Sequence, residues 1–153
     1  MMIRESSNSG KIITLFGNGG SAADAQHWAA ELCCTYKSRN RRPYAALALT
    51  TDTSIMTAWS NDFAFETVFR RQLEAFKLIN GLSIGLSTSG KSKNVLSGLN
   101  EARSYGAKTI LISGSSVETQ NYDLHIRQPS TDTPIIQTLT QMLYHEICQC
   151  LEG

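Results

Sequence analysis

The chain has 153 residues, 41% hydrophobic and 18% charged, with a formal net charge of +1 at pH 7. That length fits one domain with a proper core, and no run approaches the roughly 20 apolar residues of a membrane helix. The charge balance supplies no global field for nucleic acid or an anionic membrane, so neither is expected as a partner.

Met1 to Gly10 has no apolar signal core and reads as a polar, disordered segment ahead of a single domain from Lys11 to Gly153. The four cysteines, Cys33–Cys34 and Cys148-x-Cys150, lack zinc-ribbon spacing, and adjacent cysteines rarely bridge each other. Reduced thiols in a cytoplasmic protein are expected. The densest basic run, Arg39, Arg41 and Arg42, reads as a solvated loop.

Lys11 to Phe16 is a β-branched and apolar run, stopped abruptly by Gly17-Asn18-Gly19-Gly20-Ser21. A helix follows over Ala22 to Leu32, with Ser21 placed to cap it. Tyr44 to Leu49 reads as a second strand, and Thr51, Asp52 and Thr53 offer caps for a helix through Ile55, Met56 and Trp59. Glu66 to Phe76 carries Val68, Phe69, Leu73 and Phe76 at helical spacing. Leu82 to Leu86 is a third strand, followed by the polar loop Ser87-Thr88-Ser89-Gly90-Lys91-Ser92 and a helix through Val95, Leu99 and Ala102 that closes at Gly106. Lys108 to Ile112 and Leu124 to Ile126 are further strands, and Thr133-Pro134 opens a terminal helix to about Leu151. Strands alternating with helices predict an α/β fold: a parallel sheet covered on both faces, with its strand-end loops along one edge.

Both polar loops leave a strand and feed a helix, where unpaired N–H groups and the helix dipole favour an anion. Gly17, Gly19 and Gly20 let the backbone approach a ligand, and Ser87, Thr88, Ser89 and Ser92 add hydroxyl donors. Either loop alone could be a mere turn. The first is not G-x-G-x-x-G and no Walker lysine follows it, which disfavours a nucleotide.

His27 and Glu31, four apart, share a helix face that starts at the first loop. Gln137 and His145 lie on the terminal helix. An imidazole can act as a base or a metal ligand, and a carboxylate can move a proton; each could equally be a surface ion pair or a satisfied core side chain. His125, Trp28, Trp59 and the phenylalanines read as structural. On a straight helix about 12 Å separates Gln137 from His145, so a centre using all four residues is expected between subunits.

The run GNGGSAADAQHWAAEL resembles the first motif of bacterial phosphoheptose isomerases, within the sugar isomerase (SIS) domain superfamily. LTTDTSIMTAWSNDFAFETVFRRQLEA and GLSIGLSTSGKSKNVLSGLNEAR continue the match, which covers approximately Lys11 to Glu152. The resemblance implies a three-layer, flavodoxin-like fold with a five-stranded parallel sheet flanked by helices, and a homotetramer with active sites at subunit contacts. It implies that Asn18, Gly19, Gly20, Ser21, Ser87, Thr88, Ser89 and Ser92 hold a sugar phosphate, that Asn61 and Asp62 face the sugar, and that Gln137 contacts substrate. Glu31 and His145 match the acid/base pair. Some members bind zinc through positions matching His27, Glu31, Gln137 and His145. The implied reaction is isomerisation of sedoheptulose 7-phosphate to D-glycero-D-manno-heptose 7-phosphate through an enediol.

Three departures stand out. Only Met1 to Gly10 precede the first strand, where the family carries a further helical segment; Ile135-Ile136-Gln137-Thr138 replaces Arg-Ile-Gln-Glu; and Cys34 and Thr35 replace a Gly-Arg pair. The alternatives are a non-catalytic SIS protein that binds the bacterial replication initiator, and a phosphosugar-sensing domain. The initiator-binding members need not keep both Glu31 and His145.

Overall fold

In the computed structural model, residues 2–77 and 81–152 are described; Met1 and Gly153, the ends of the ranges read from sequence, lie outside them. Five strands form one all-parallel sheet: β1 (Ile13–Phe16), β2 (Ala46–Ala48), β3 (Leu82–Leu86), β4 (Lys108–Gly114) and β5 (Leu124–Gln128). Their order is β2-β1-β3-β4-β5, so the chain reverses direction across the sheet between β1 and β3. At such a switch point the two strand-end loops diverge and leave a crevice. The helices are α1 (Met2–Asn8), α2 (Gly20–Cys33), α3 (Thr53–Asp62), α4 (Val68–Phe76), α5 (Lys93–Ser104) and α6 (Thr133–Glu152). A 3-10 turn, Phe65–Thr67, leads into α4.

The period of two along each strand divides the core. Ile13 and Leu15 of β1, Leu82, Ile84 and Leu86 of β3, and Ile110 and Ile112 of β4 pack with Trp28 and Leu32 of α2 and Tyr144, Cys148 and Leu151 of α6. Phe16 and Leu111, on the opposite face, pack with Val68, Phe69 and Leu73 of α4 and Val95 and Leu99 of α5. On that second face a Cβ at Gly85 would come within 2.8 Å of Leu99 and Val95, so only glycine admits α5 this close. Thr14 and Ser83 are polar intruders in adjacent strands; their buried hydroxyls bond each other at 2.8 Å, which offsets the desolvation penalty.

Several sequence expectations change. The disorder expected of the N-terminal segment is not seen in residues 2–10: Met2–Asn8 is helical, with Ile3 buried in the first core cluster. Partly buried Met2 packs against the same cluster, Arg4 donates to the Cys150 carbonyl at 2.6 Å, and Arg42 donates to Ser7 and Asn8 at 3.1 and 3.0 Å. The basic run is not simply solvated either. The Arg41 side chain is buried, donates to the carbonyls of Glu31 and Leu32 at 2.6 and 3.1 Å, and lies 3.7 Å from the Glu152 carboxylate. The last carbonyls of α2 need donors, and Arg41 supplies them. Phe16 and Phe69 are core as expected, whereas Phe63, Phe65 and Phe76 are exposed. Edge strand β2 shrinks to three residues, and β4 and β5 each run two residues further, to Gly114 and Gln128.

Candidate active site

The first loop leaves β1 at Gly17. Gly19 caps α2 from a left-handed conformation, φ 56°, which side-chain-bearing residues disfavour. Ser21, expected as the cap, is instead buried inside the first helical turn and makes no capping bond. Glycine takes the cap position because the turn needs its φ, which leaves Ser21 one step too late.

The second loop, after β3, is tied to itself. The Ser87 hydroxyl donates to the Ser92 hydroxyl at 2.9 Å and accepts from the Ser92 N–H at 3.3 Å; Ser89 accepts from the Lys91 N–H at 3.2 Å. Thr88 and Thr133 share a hydroxyl contact of 3.4 Å, which brings the start of α6 to this loop. Asn18 and Asn94 join the two loops through reciprocal amide bonds of 2.8 Å each. Asn94 is buried, and its Oδ1 also accepts from the Val95 N–H at 2.9 Å. Sequence reasoning missed Asn94. The available signal was an asparagine in the first turn of a helix, where such side chains compete for backbone groups and gain from a fixed partner.

Gln137 belongs to the loop level: its side-chain amide fills the space that a Cβ on residue 20 would occupy. Asn61 and Asp62 close α3, exposed and bonded to each other at 2.8 Å.

The titratable residues meet further along the same two helices. α2 and α6 both begin at the loop edge and pack against one another. Eight residues beyond Gln137, His145 Nε2 lies 3.4 Å from Glu31 Oε1, and His27 Nε2 lies 3.1 Å from the same oxygen. Three of the four expected metal ligands therefore converge within one chain, their ligand atoms all within 4.8 Å of one another. Gln137, about 12 Å along α6 from His145 at 1.5 Å per residue, stays with the loops. Glu31 is mostly buried, its side chain 15% exposed against 45% for His27 and 32% for His145. Its second oxygen, Oε2, is buried without a hydrogen-bond partner. The Tyr36 ring stacks beside His145 at 5.8 Å, and the Tyr144 hydroxyl lies 2.8 Å from His27 Nδ1.

This cluster perturbs its surroundings. Burial, and then the carboxylates of Asp24 and Glu31, push the Tyr144 phenol well above its ordinary range. Burial, with the Glu31 carboxylate second, pushes the Cys148 thiol up to about 12. Asp24 is raised by burial, with His27 pulling the other way. Two imidazole nitrogens and a carboxylate, one of whose oxygens lacks a partner, form a donor set that suits zinc. His125 is elsewhere and satisfied, bonded to Ser113 Oγ at 2.8 Å and accepting from the Gln120 N–H at 3.1 Å.

The model of the SIS domain family matches residues 1–114. A phosphoheptose isomerase of Helicobacter pylori (strain Shi470) is 45% identical over 154 residues, covering 99% of this chain and 79% of that protein. The structure of a phosphoheptose isomerase from Francisella tularensis superposes with a TM-score of 0.91 at 28% identity, covering 98% of this chain and 81% of that one. A phosphoheptose isomerase structure from Neisseria gonorrhoeae gives 0.82 at 36% identity, covering 99% and 80%. With three quarters of its length matched by the family model, the chain belongs to the SIS domain family.

Proposed function

We propose that this protein is a phosphoheptose isomerase, interconverting sedoheptulose 7-phosphate and D-glycero-D-manno-heptose 7-phosphate. The observation that carries the proposal is the convergence of Glu31 and His145, 3.4 Å apart, on two helices that both begin at a loop pair suited to an anion. The serine loop, Ser87 to Ser92, takes the phosphate; Asn18, Gly19, Gly20, Ser21, Asn61, Asp62 and Gln137 contact the sugar.

In the ketose-to-aldose direction a base removes a proton from C1, and the carbonyl oxygen on C2 takes one up, giving a cis-enediol. The O1 hydroxyl then loses its proton while C2 gains one, leaving the carbonyl at C1. No atom is lost. His145 handles the carbon-bound proton, and Glu31 handles the protons on the two oxygens. Zinc would be held by His27, Glu31 and His145, with Gln137 as a fourth ligand from a neighbouring protomer, and would supply Lewis-acid polarisation of a carbonyl.

The separation of about 12 Å between loop level and acid/base level along α6 supports active sites shared between protomers, as does the exposure of Phe63, Phe65 and Ile55. A homotetramer is the assembly we infer. We place the protein in the cytoplasm; four free thiols fit that compartment, and no helix among the described residues is long and apolar enough to cross a membrane.

The test is turnover of sedoheptulose 7-phosphate with and without added zinc. Glu31→Gln and His145→Ala are each expected to lower kcat by about 100-fold or more. Unchanged rates in both variants, or no turnover by the parent protein, would sink the enzymatic reading. The initiator-binding and sugar-sensing alternatives would then take its place.

A further inference from the structure

We propose that Tyr144 is the positioning residue of this cluster: its hydroxyl holds the His27 ring through Nδ1 and so aims Nε2 at Glu31 and His145. Tyr144 and His145 are neighbours on α6, and successive helical residues point about 100° apart. His145 is therefore partly exposed, at 32%, while Tyr144 turns inward. The Tyr144 ring is 0% exposed and stacks on the buried Trp28, with centroids 5.5 Å apart and planes 17° off parallel. Its position is thus set by the core.

His27 is held less firmly. Its side chain is 45% exposed, its ring meets that of His145 edge-on at 5.4 Å, and the Glu31 contact fixes only Nε2, which leaves the other side of the ring to be constrained. The 2.8 Å contact to the buried hydroxyl supplies that constraint. Orientation of the proton follows from the partners. Glu31 Oε1, 3.1 Å from Nε2, is a carboxylate oxygen that only accepts. Nε2 therefore carries the proton, Nδ1 is bare, and Tyr144 donates. A hydroxyl also accepts, so the same contact survives when Nε2 gives up its proton to bind a cation and Nδ1 takes one instead. A carboxylate in place of Tyr144 could serve only the second state. The tyrosine thus supports both states of His27 through one bond.

The experiment records long-range proton–nitrogen correlations on metal-free protein labelled with 15N-histidine, then on Tyr144→Phe, which keeps the stack on Trp28 and loses only the hydroxyl. In the parent protein His27 should show a protonated Nε2 and an Nδ1 shifted by accepting a hydrogen bond. In Tyr144→Phe the Nδ1 signal should move to that of an unbonded ring nitrogen, and zinc titrated alone by calorimetry should bind about 10- to 100-fold more weakly. The kinetic arm rests on the isomerase proposal: kcat falls while KM holds. An unbonded Nδ1 in the parent protein overturns the inference even if the variant fails to fold. So does a variant whose Nδ1 signal is unmoved and whose zinc affinity stays within twofold. Absence of turnover in the parent protein overturns the isomerase proposal alone, because the nitrogen signals do not depend on it.

Discussion

His125 illustrates how a single side chain ties stability to pH without touching the chemistry. It sits in β5 with both ring nitrogens engaged, Nε2 with the Ser113 hydroxyl and Nδ1 accepting from the Gln120 N–H. Burial first, and the charge of Arg127 second, push its pKa below the ordinary 6.5. A histidine depressed in the folded state stays neutral there while the unfolded chain already binds a proton. Its contribution is therefore complete above 6.5 and lost as pH falls from 6.5 towards the folded value. Urea midpoints measured from pH 8 to pH 5 should decline below about 6.5, and His125→Asn should flatten that decline. An identical slope in the variant would assign it to other groups. At this scale the sequence was legible where residue type alone decides, as with the hydroxyl-rich loop and the His27–Glu31 spacing. It was not legible for Asn94, whose purpose exists only once Asn18 is brought opposite it across two strands.

Elements were readable because hydrophobic periodicity is local. β1 to β5 and α2 to α6 all lie where alternation or helical spacing placed them, with boundaries moved by a few residues. What local pattern cannot supply is the partner of an element's end. Cys34 ends α2 without glycine, and the freed carbonyls of Glu31 and Leu32 take their donors from Arg41, which the chain brings back after a loop. The same guanidinium approaches Glu152 at the end of α6, so one residue joins the ends of the two helices that carry Glu31 and His145. Nothing in an Arg-rich tripeptide announces that role. Arg41→Met keeps the aliphatic bulk and removes the side-chain donor to the Glu31 and Leu32 carbonyls and the ion pair with Glu152, although Leu32 keeps the Tyr44 N–H and Glu152 keeps the N–H groups of Lys37 and Ser38. It should cost about 1 to 2 kcal/mol in chemical denaturation, more than an ordinary surface charge. A loss under about 0.5 kcal/mol would mean that water serves these groups equally well.

For the whole molecule, what matters is how much apolar surface one chain leaves uncovered. Phe63 is 69% exposed, Phe65 47% and Ile55 40%, all on or next to α3, which buries none of its own residues against the rest of the chain. Light scattering should return a multiple of the 16.8 kDa chain mass. Phe63→Lys should shift that mass downward and reduce turnover with it, since shared sites would be separated. A strict monomer with full activity would defeat the shared arrangement. The architecture was foreseen from the succession of strands and helices, but which aromatic residues fill the core was not. Phe63 follows the last turn of α3 and is exposed, whereas Phe69 lies on the packed face of α4; residue type alone does not separate them.

The common direction of α2 and α6 makes their pairing a matter of phase. Between Gln137 at the glycine turn and His145 at the carboxylate lie two helical turns with no slack, so one inserted residue would swing the imidazole about 100° around its axis and leave the glutamine seated. Length within that stretch is thereby constrained as tightly as identity, and variation of this chain should enter beyond the helix ends.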